Sequence, residues 1–405
     1  MSAPTHEGSP DVLVVGAGIT GVTTALALAE AGARVEVIER WIPAAMASGW
    51  TLAGVRQSGR DPAELALARH AVALWQDLDE WLGKPTGYRQ SGNLRLARDE
   101  DEAPAIKALV DEQGRAGLDI TLLDPAAIRE IAPAISPRVP LASWCPTDGQ
   151  ADPIRTSQAY RQAAERLGVR FRIHTRVDRL EVRGGRFHAL VFDGDRRQAG
   201  ACVLATGVHT TALLADVGVH LPIRTAAVTV VRSAAMTPSL GPVIGVAGAN
   251  LAIRQQDDGR FRFTGGAEAP HAPLIEDQRR PRVPVRAASL AAVIERAIDV
   301  LPMLAEADVT RSWSGLLDMT PDALPVMDRV GGIDDLVVAA GFSGHGFGIG
   351  PAVGPCLAAL TLGRPSPVAL DAFALGRFDG ITQAGPTGGV TTPEHTSLAT
   401  PTLHG

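Results

Sequence analysis

The chain has 405 residues, of which 45% are hydrophobic and 20% are charged, and its formal net charge at pH 7 is −6. This length is more than one ordinary hydrophobic core accommodates, so we expect two domains. The acidic balance argues against nucleic acid as a partner. The three cysteines stand far apart without a C-x-x-C pair, which argues against a disulfide framework and against a metal site.

The two ends of the chain indicate neither export nor membrane insertion. The first residues, MSAPTHEGSPD, contain no basic segment followed by an apolar core, so we expect no secretory signal and a cytoplasmic location. No window reaches about eighteen apolar residues, so we expect no membrane span. Residues 379–405 are rich in Gly, Pro and Thr without periodicity, which predicts a disordered tail.

The stretch DVLVVGAGITGVTTALALAEAGARVEVIER (11–40) predicts a strand, a glycine-rich turn, a helix and a second strand. Gly16, Gly18 and Gly21 form the pattern G-x-G-x-x-G. In dinucleotide-binding units the first glycine permits a tight turn, the second lets the backbone approach a pyrophosphate, and the third lets the helix pack closely on the strand. Gly32 is suited to end the helix.

Glu39 ends the second predicted strand, eighteen residues beyond Gly21. In such units a carboxylate at this point binds a ribose hydroxyl of the adenosine. An acid here, instead of a basic residue, disfavours a 2′-phosphate, so the unit is predicted to bind FAD or NAD in preference to NADP. The alternative, a glycine-rich turn in another kind of α/β unit, leaves this acid without a role.

Helical patterns follow at 62–83, 103–117 and 157–168, and the alternating runs LAIRQQ (251–256) and GRFRFTGG (259–266) predict strands of an antiparallel sheet. Five further segments place glycine, arginine or small residues beside a predicted strand or helix: ASGWTLAGVRQSGR (47–60), DGQADPIRTSQAY (148–160), ACVLATGVHTTALL (201–214), RSWSGLLDMTPDALPVMD (311–328) and GFSGHGFGIGPAVG (341–354).

In this order, the N-terminal unit and these segments resemble the D-amino-acid-oxidase-like flavoproteins, a family that includes sarcosine oxidase, glycine oxidase, dimethylglycine dehydrogenase and opine dehydrogenase catalytic subunits. The resemblance covers residues 11 to about 378. It implies an α/β fold in which a FAD-binding Rossmann-like domain is interleaved with an antiparallel-sheet α+β substrate domain. The expected FAD-binding domain comprises 1–86, 148–215 and 306–378, and the expected substrate domain comprises 87–147 and 216–305.

The resemblance also implies a role for the glycine-rich segment at 341–350, which would end a strand and open a helix beneath the isoalloxazine ring of FAD. N–H groups around Gly346–Ile349 would face the ring edge where negative charge develops on reduction, and a Cβ there would hold the backbone away from the ring. The residues predicted to contact FAD are Gly16, Gly18, Ile19, Thr20, Gly21, Glu39, Arg40, Ser48, Gly49, Val177, Ala205, Thr206, Gly207, Gly341, Gly344, Gly346, Phe347, Gly348 and Ile349.

Oxidation of an amine by a flavin needs few side chains, because hydride passes to flavin N5 and the protein has to orient the substrate, fix its carboxylate and exclude water. Arg56 is the predicted carboxylate anchor, because AGVRQSGR matches a segment beside the flavin in this family. Arg254 and Arg60 are weaker candidates, and His345 is a candidate general base. The alternative for Arg56 is a bond to the cofactor's phosphate or to a nearby carbonyl, and for His345 it is a hydrogen bond to backbone or a place in the pocket lining. Arg60 and Arg254 would otherwise be solvated strand or loop residues.

Several positions depart from the family pattern. Gly348 stands where some members have a carboxylate-binding lysine, and Leu317 stands where glycine oxidase has an arginine. Gly315 stands where sarcosine oxidase has the cysteine that links its flavin, so FAD is expected to be non-covalent. The two lysines of the chain, Lys84 and Lys107, lie in no matching segment. Lysine-assisted oxygen activation is therefore not expected, and a dehydrogenase is favoured over an oxidase.

The sequence therefore predicts an FAD-dependent enzyme that oxidises the C–N bond of a small-molecule amino acid or N-substituted amino acid to an imine, which hydrolyses. The resemblance to hetero-oligomeric members leaves room for a partner subunit or an electron-accepting protein. Alternatives are FAD-dependent oxidation of a 2-hydroxy acid or a polyol phosphate, and a flavin-binding scaffold without turnover. An NAD-dependent dehydrogenase would leave the glycine-rich segment at 341–350 without a role.

Overall fold

The computed structural model describes residues 9–277 and 280–380. The tail predicted at 379–405 lies outside the described residues, except for its first two positions. Within the described part of the chain, no helix combines the length and the apolar character that crossing a membrane requires.

The strands form four sheets, and several short strands alternate with helices along the chain. The strands are β1 Val12–Val15, β2 Val35–Ile38, β3 Gly54–Val55, β4 Asn93–Ala97, β5 Thr121–Leu123, β6 Leu141–Cys145, β7 Gly149–Gln150, β8 Arg170–Arg172, β9 Arg179–Arg183, β10 Arg186–Phe192, β11 Asp195–Gln198, β12 Ala201–Leu204, β13 Arg224–Ala235, β14 Val243–Val246, β15 Leu251–Gln255, β16 Arg260–Glu268, β17 Val309–Met319, β18 Val326–Arg329 and β19 Leu336–Ala340.

The α-helices are α1 Ile19–Glu30, α2 Ala47–Trp50, α3 Pro62–Gln76, α4 Leu78–Leu82, α5 Ala103–Arg115, α6 Pro125–Ile131, α7 Pro153–Arg166, α8 Thr210–Ala215, α9 Ala287–Val300 and α10 Gly346–Leu362. Six of these α-helices, α1, α3, α5, α7, α9 and α10, have 12 to 17 residues, and the others are short. The helix predicted at 62–83 is divided into α3 and α4, because the backbone leaves the helical region at Asp77 (φ −107°).

The first sheet has the strand order β18-β19-β12-β1-β2-β8. β1 pairs in parallel with β2 and with β12, β8 and β19 extend the sheet in parallel, and β18 is antiparallel to β19. Val12 and Val14 pack on one face against α1 and α10, and Leu13 packs on the other face. The apolar run of β1 thus follows from burial of a parallel strand on both faces.

The second sheet has eight strands in the order β17-β13-β16-β15-β14-β4-β6-β5. Its pairs are antiparallel except for β14 and β4, which run in parallel. Val231 and Phe261 pack with Val293 of α9 on one face of this sheet. The predicted fold class, a parallel dinucleotide-binding sheet combined with a largely antiparallel sheet, is confirmed.

One predicted boundary differs from the structure. The last FAD-binding segment was expected to begin at 306, yet β17 pairs with β13 from Met319 to Val309 in the second sheet. The chain re-enters the first sheet at β18. The reason is that the partner of β17 lies about 85 residues earlier in the sequence, so local patterning does not reveal this pairing.

Candidate cofactor and active site

A cavity of about 500 Å³ lies between the first sheet and β13, β16 and β17 of the second sheet. One end is formed by the turn between β1 and α1. The opposite end lies beside the start of α10, and Phe347 of this helix and Val230 and Thr264 of the second sheet all line the cavity. Residues from both ends of the chain therefore share one cavity.

The glycines of the first turn are required by close backbone contacts. Gly16 has φ +99°, and a Cβ at this residue would lie 2.4 Å from the carbonyl oxygen of Ala205. A Cβ at Gly21 would lie 1.9 Å from the carbonyl oxygen of Gly16, so this glycine lets α1 pack against the turn. Gly18 lines the cavity, and Ser48 Oγ accepts the N–H of Ile19 at 2.9 Å.

Glu39 lies directly after β2 and holds the turn in place. Its two carboxylate oxygens each accept a backbone N–H at 2.7 Å, one from Ala17 and one from Trp41. Burial raises the pKa of Glu39, and these two N–H donors oppose that rise. A carboxylate has about four acceptor positions, so Glu39, which lines the cavity, keeps the capacity to accept a ribose hydroxyl.

His209 is a cavity residue that the sequence did not single out. Its ring lies 5.8 Å from that of Trp41, centroid to centroid. Its Nε2 is buried without a hydrogen-bond partner in the part of the chain that the structure describes. Burial, together with the nearby Arg40, lowers the pKa of His209. A buried polar atom of this kind is satisfied by a polar ligand, so this end of the cavity fits an adenosine-bearing cofactor.

The other end of the cavity faces the start of α10. Gly344, Gly346 and Phe347 line it, and no side chain of the residue preceding the helix caps its first turn. The first N–H groups of a helix have no intrahelical acceptor and carry a partial positive charge. This arrangement fits the edge of a flavin ring, on which negative charge develops.

The glycines further along α10 have a different role from the predicted one. A Cβ at Gly348 would lie 2.9 Å from the carbonyl oxygen of Gly54, and one at Gly350 would lie 2.5 Å from Ile19 Cγ1. These glycines therefore let α10 pack against β3 and α1, and they do not keep space for a ring. This corrects the reason given for Gly348.

Most residues predicted to contact FAD line the cavity. They are Gly16, Gly18, Ile19, Thr20, Glu39, Arg40, Ser48, Val177, Ala205, Thr206, Gly207, Gly344, Gly346 and Phe347. Gly21, Gly49, Gly341, Gly348 and Ile349 are not on its wall. Gly49 and Gly341 are instead packed against neighbouring residues, since a Cβ would lie 2.1 Å from the Ala44 carbonyl oxygen at Gly49 and 2.3 Å from Thr320 Cγ2 at Gly341.

Arg56 is buried and does not line this cavity. Its Nη1 donates to the carbonyl oxygen of Ser58 at 2.8 Å, and the same turn is held by Asp148, which accepts the N–H of Gln57 at 2.8 Å. Burial and the neighbouring Arg60 lower the pKa of Arg56. This position favours a structural role in the turn after β3 and gives no support to the predicted role as carboxylate anchor.

His345 is also buried away from the cavity wall. Its Nδ1 lies 2.9 Å from Glu64 Oε2. Burial and Arg60 lower the pKa of His345. Burial alone would raise the pKa of Glu64, but His345 and Arg60 lower it by more and bring it to about 2. The pair links α3 to the start of α10, and its position gives no support to the predicted general base.

Arg254 lies on β15, and its Nη1 donates to Gln150 Oε1 at 3.1 Å and to the carbonyl oxygen of Ala151 at 2.7 Å. It does not line the cavity. Its Nε and Nη2 are buried without hydrogen-bond partners among the described residues, so part of its donor capacity is unused.

Asp318 is the ionisable side chain at the α10 end of the cavity that sequence reasoning missed. Its Oδ2 accepts the N–H of Gly341 at 2.6 Å. Burial raises the pKa of Asp318 to about 6, against the N–H donors of Gly341 and Phe342. The available signal was an acid within the apolar run SGLLDM, next to Leu317, where the family pattern already fails.

This fold and cavity define a dinucleotide-binding oxidoreductase. The family model described as FAD dependent oxidoreductase matches residues 11–360, and the chain belongs to this family. The predicted family, the FAD cofactor and the class of reaction, an oxidation by an FAD enzyme of the amino acid and sarcosine oxidase type, are thereby confirmed.

Similar proteins cover nearly the whole chain. A D-amino acid dehydrogenase of Methylobacterium radiotolerans is 27% identical, with 91% of this chain and 99% of the relative covered. A sarcosine oxidase subunit beta of Rhodobacter capsulatus is 24% identical, with 93% and 90% covered. The crystal structure of L-proline dehydrogenase from P. horikoshii superposes with a TM-score of 0.84 at 27% identity, covering 91% of this chain and 98% of that one.

Proposed function

We propose that this enzyme oxidises the C–N bond of an amino acid, including amino acids with a substituent on nitrogen. The supporting observation is that one cavity continues from the dinucleotide-binding turn to an apolar pocket beside α10, walled by the second sheet. Relatives named for D-amino acids, for sarcosine and for L-proline favour an amino acid in that pocket.

When bound, FAD would supply the acceptor for a hydride, that is, the hydrogen of the substrate carbon together with two electrons. The amine nitrogen gives up its N–H proton, so the C–N single bond becomes C=N. Water then adds to the imine carbon, which releases an oxo acid or aldehyde together with ammonia or, from an N-substituted substrate, a smaller amine. The electrons leave the enzyme through a second acceptor.

The residues of this chain orient the substrate and exclude water. Val228, Val230 and Leu317 provide an apolar wall at the α10 end of the cavity, which favours the neutral form of the amine. Asp318 is ionised above pH about 6, so its carboxylate is suited to accept the amine proton. The N–H groups at the start of α10 stabilise the negative charge that reduction creates.

A dehydrogenase is favoured over an oxidase within this proposal. No lysine lines the cavity in the part of the chain that the structure describes, and both Lys84 and Lys107 are exposed. The relative named as a subunit supports a partner subunit or an electron-accepting protein for this chain as well. The cytoplasmic location stays a prediction.

The test is an anaerobic titration of the FAD-loaded enzyme with D-, L- and N-alkyl amino acids, followed by absorbance of the oxidised flavin. We expect one group of amines to bleach the flavin, and we expect slow return of colour in air but fast return with an artificial electron acceptor. Bleaching by 2-hydroxy acids and by no amine would overturn the proposal in favour of the hydroxy-acid alternative.

A further inference from the structure

Four arginines face one another across four neighbouring strands of the second sheet, and we call them the arginine row. Arg254 of β15 is paired in register with Arg262 of β16, Arg262 with Arg232 of β13, and Arg232 with Arg311 of β17. Like charges placed directly opposite each other on neighbouring strands are destabilising. The Trp313 ring, over which Arg262 and Arg311 lie at 5.3 Å and 5.4 Å from the centroid, offsets part of this repulsion, and an anion bound at the row would offset more.

The arginine row lies on the face of the sheet that also forms the cavity. Side chains two positions apart on a strand share a face. Thr264 and Val230 line the cavity, and Arg262 and Arg232 are two positions further along the same strands. The row is thus one pleat repeat, about 7 Å, beyond the cavity wall. The opposite face carries the apolar core with α9.

The row runs from solvent into the interior. Arg311 is exposed and Arg232 is half-buried, whereas Arg262 and Arg254 have relative exposures of 9% and 3%. Arg262 Nη1 donates to the carbonyl oxygen of Thr51 at 2.7 Å, and Thr51 lines the cavity. The buried end of the row is therefore next to the cavity wall, which it contacts at Thr51.

The buried donors of the row are incompletely satisfied. Arg232 Nε, Arg262 Nε, and both Nε and Nη2 of Arg254 are without hydrogen-bond partners among the described residues. Burial and the neighbouring arginine lower the pKa of Arg254 to about 9. Unsatisfied buried donors of a charged group are costly, so a site with this many of them is suited to a ligand that supplies several acceptor oxygens.

Nearby acids act on the row only from a distance. Asp152 influences both buried arginines, but its Oδ1 accepts the N–H groups of Ile154 and Arg155 at the start of α7. Asp257 forms an ion pair with Arg89, and Asp258 forms one with Arg260. Within the described residues, no ion pair includes a member of the row.

We propose that the arginine row binds a carboxylate at the end of the substrate remote from the reacting C–N bond, so that the preferred substrates are amino acids with a second carboxylate. That the ligand is the substrate rests on the proposed function, whereas the carboxylate is inferred from the row itself. Guanidinium groups bind carboxylates with paired hydrogen bonds, and the row lies about 7 Å along the strands from the residues that line the cavity.

The test measures equilibrium binding to the FAD-loaded enzyme, by calorimetry and by the shift of the flavin spectrum, and it does not depend on turnover. Glutarate, a dicarboxylate, is compared with butyrate, a monocarboxylate of similar length. We expect glutarate to bind at least about tenfold more tightly. We expect Arg262→Gln to abolish this preference by weakening glutarate binding more than butyrate binding, and Arg262→Lys to retain part of it. Arg129→Gln, at an exposed position on α6, is the matched control.

Three outcomes separate the proposal from its rivals. If the row is only structural, Arg262→Gln will lower the melting temperature and leave the ratio of glutarate to butyrate affinity intact, which overturns the proposal. If glutarate binds without competing against a dicarboxylic amine such as N-methylglutamate, the row holds a separate anion, which overturns its assignment to the substrate. If no amine bleaches the flavin while the glutarate preference persists, the proposed function fails and the anion site stands.

Discussion

At the scale of single residues, the chemistry of this site depends on how burial shifts the pKa of each ionisable group. Glu39 and Asp318 are both buried acids that accept backbone N–H groups, yet they lie at opposite ends of the cavity. The pKa of Asp318 is raised to about 6 by burial, which places its titration within the range in which enzymes commonly work.

Replacing Asp318 with Asn is expected to change the pH dependence of stability. The folded-state pKa of about 6 lies above the usual 3.8, so wild-type stability falls as pH rises from about 4 to about 6, and the cost persists above that. The shift corresponds to at most about 3 kcal/mol in the free energy of unfolding. Asp318→Asn should therefore be more stable than wild type at pH 7.5 and lose that advantage at pH 4.

Urea denaturation at the two pH values measures this difference. Asp119→Asn, at an exposed position, serves as the control and should show no such dependence. An Asp318→Asn variant that is less stable than wild type at both pH values would show that the N–H groups of Gly341 and Phe342 require the charged carboxylate.

At the scale of elements, the packing of α10 on α1 holds the two halves of the cofactor cavity together. A Cβ at Gly354 of α10 would lie 2.5 Å from the backbone carbonyl carbon of Thr23 in α1. Backbone cannot yield as a side chain can, so the two helices would have to separate. Since α1 begins at the dinucleotide-binding turn and α10 begins at the other end of the cavity, this contact fixes the distance between them.

Gly354→Ala is expected to destabilise the protein by about 1–3 kcal/mol, the usual cost of overpacking a core, and to weaken FAD binding. Gly114→Ala is a matched control. Gly114 is helical like Gly354, but it is exposed, and a Cβ there would meet nothing within 4 Å. The control should instead gain up to about 1 kcal/mol from improved helix propensity. Thermal unfolding of both variants tests this, and equal effects of the two substitutions would refute the packing argument.

Elements defined by local patterns could be predicted from the sequence, whereas long-range registers could not. The apolar run of β1, the glycines of its turn and the acid after β2 lie within one stretch of the chain, so their arrangement follows from spacing alone. The arginine row combines positions from 232 to 311, and only the pairing of four strands brings them together. The same limit explains why the segment that forms β17 was expected in the FAD-binding domain.

At the scale of the whole molecule, the cavity is the product of a chain that returns to its first sheet near its C-terminus. Glu39 and Phe347 line the same cavity although about 300 residues separate them. The family resemblance predicted that both ends would meet at FAD. It did not indicate His209 or Asp318, because their importance comes from burial beside the cavity, a property of the assembled structure and not of any local pattern.

FAD is expected to stabilise the protein more than FMN does, because only FAD carries an adenosine, which Glu39 and His209 at one end of the cavity would hold. Ligand present at 100 times its dissociation constant adds about 2.7 kcal/mol to the free energy of unfolding. Melting temperatures of FAD-depleted protein should therefore rise by several degrees with FAD and by less with FMN at equal concentration. Glu39→Gln should narrow this difference, because an amide replaces one acceptor of the Ala17 and Trp41 N–H groups with a donor. Equal stabilisation by FMN and FAD, or equal loss of both in Glu39→Gln, would mean that the adenosine end of the cavity contributes nothing to binding.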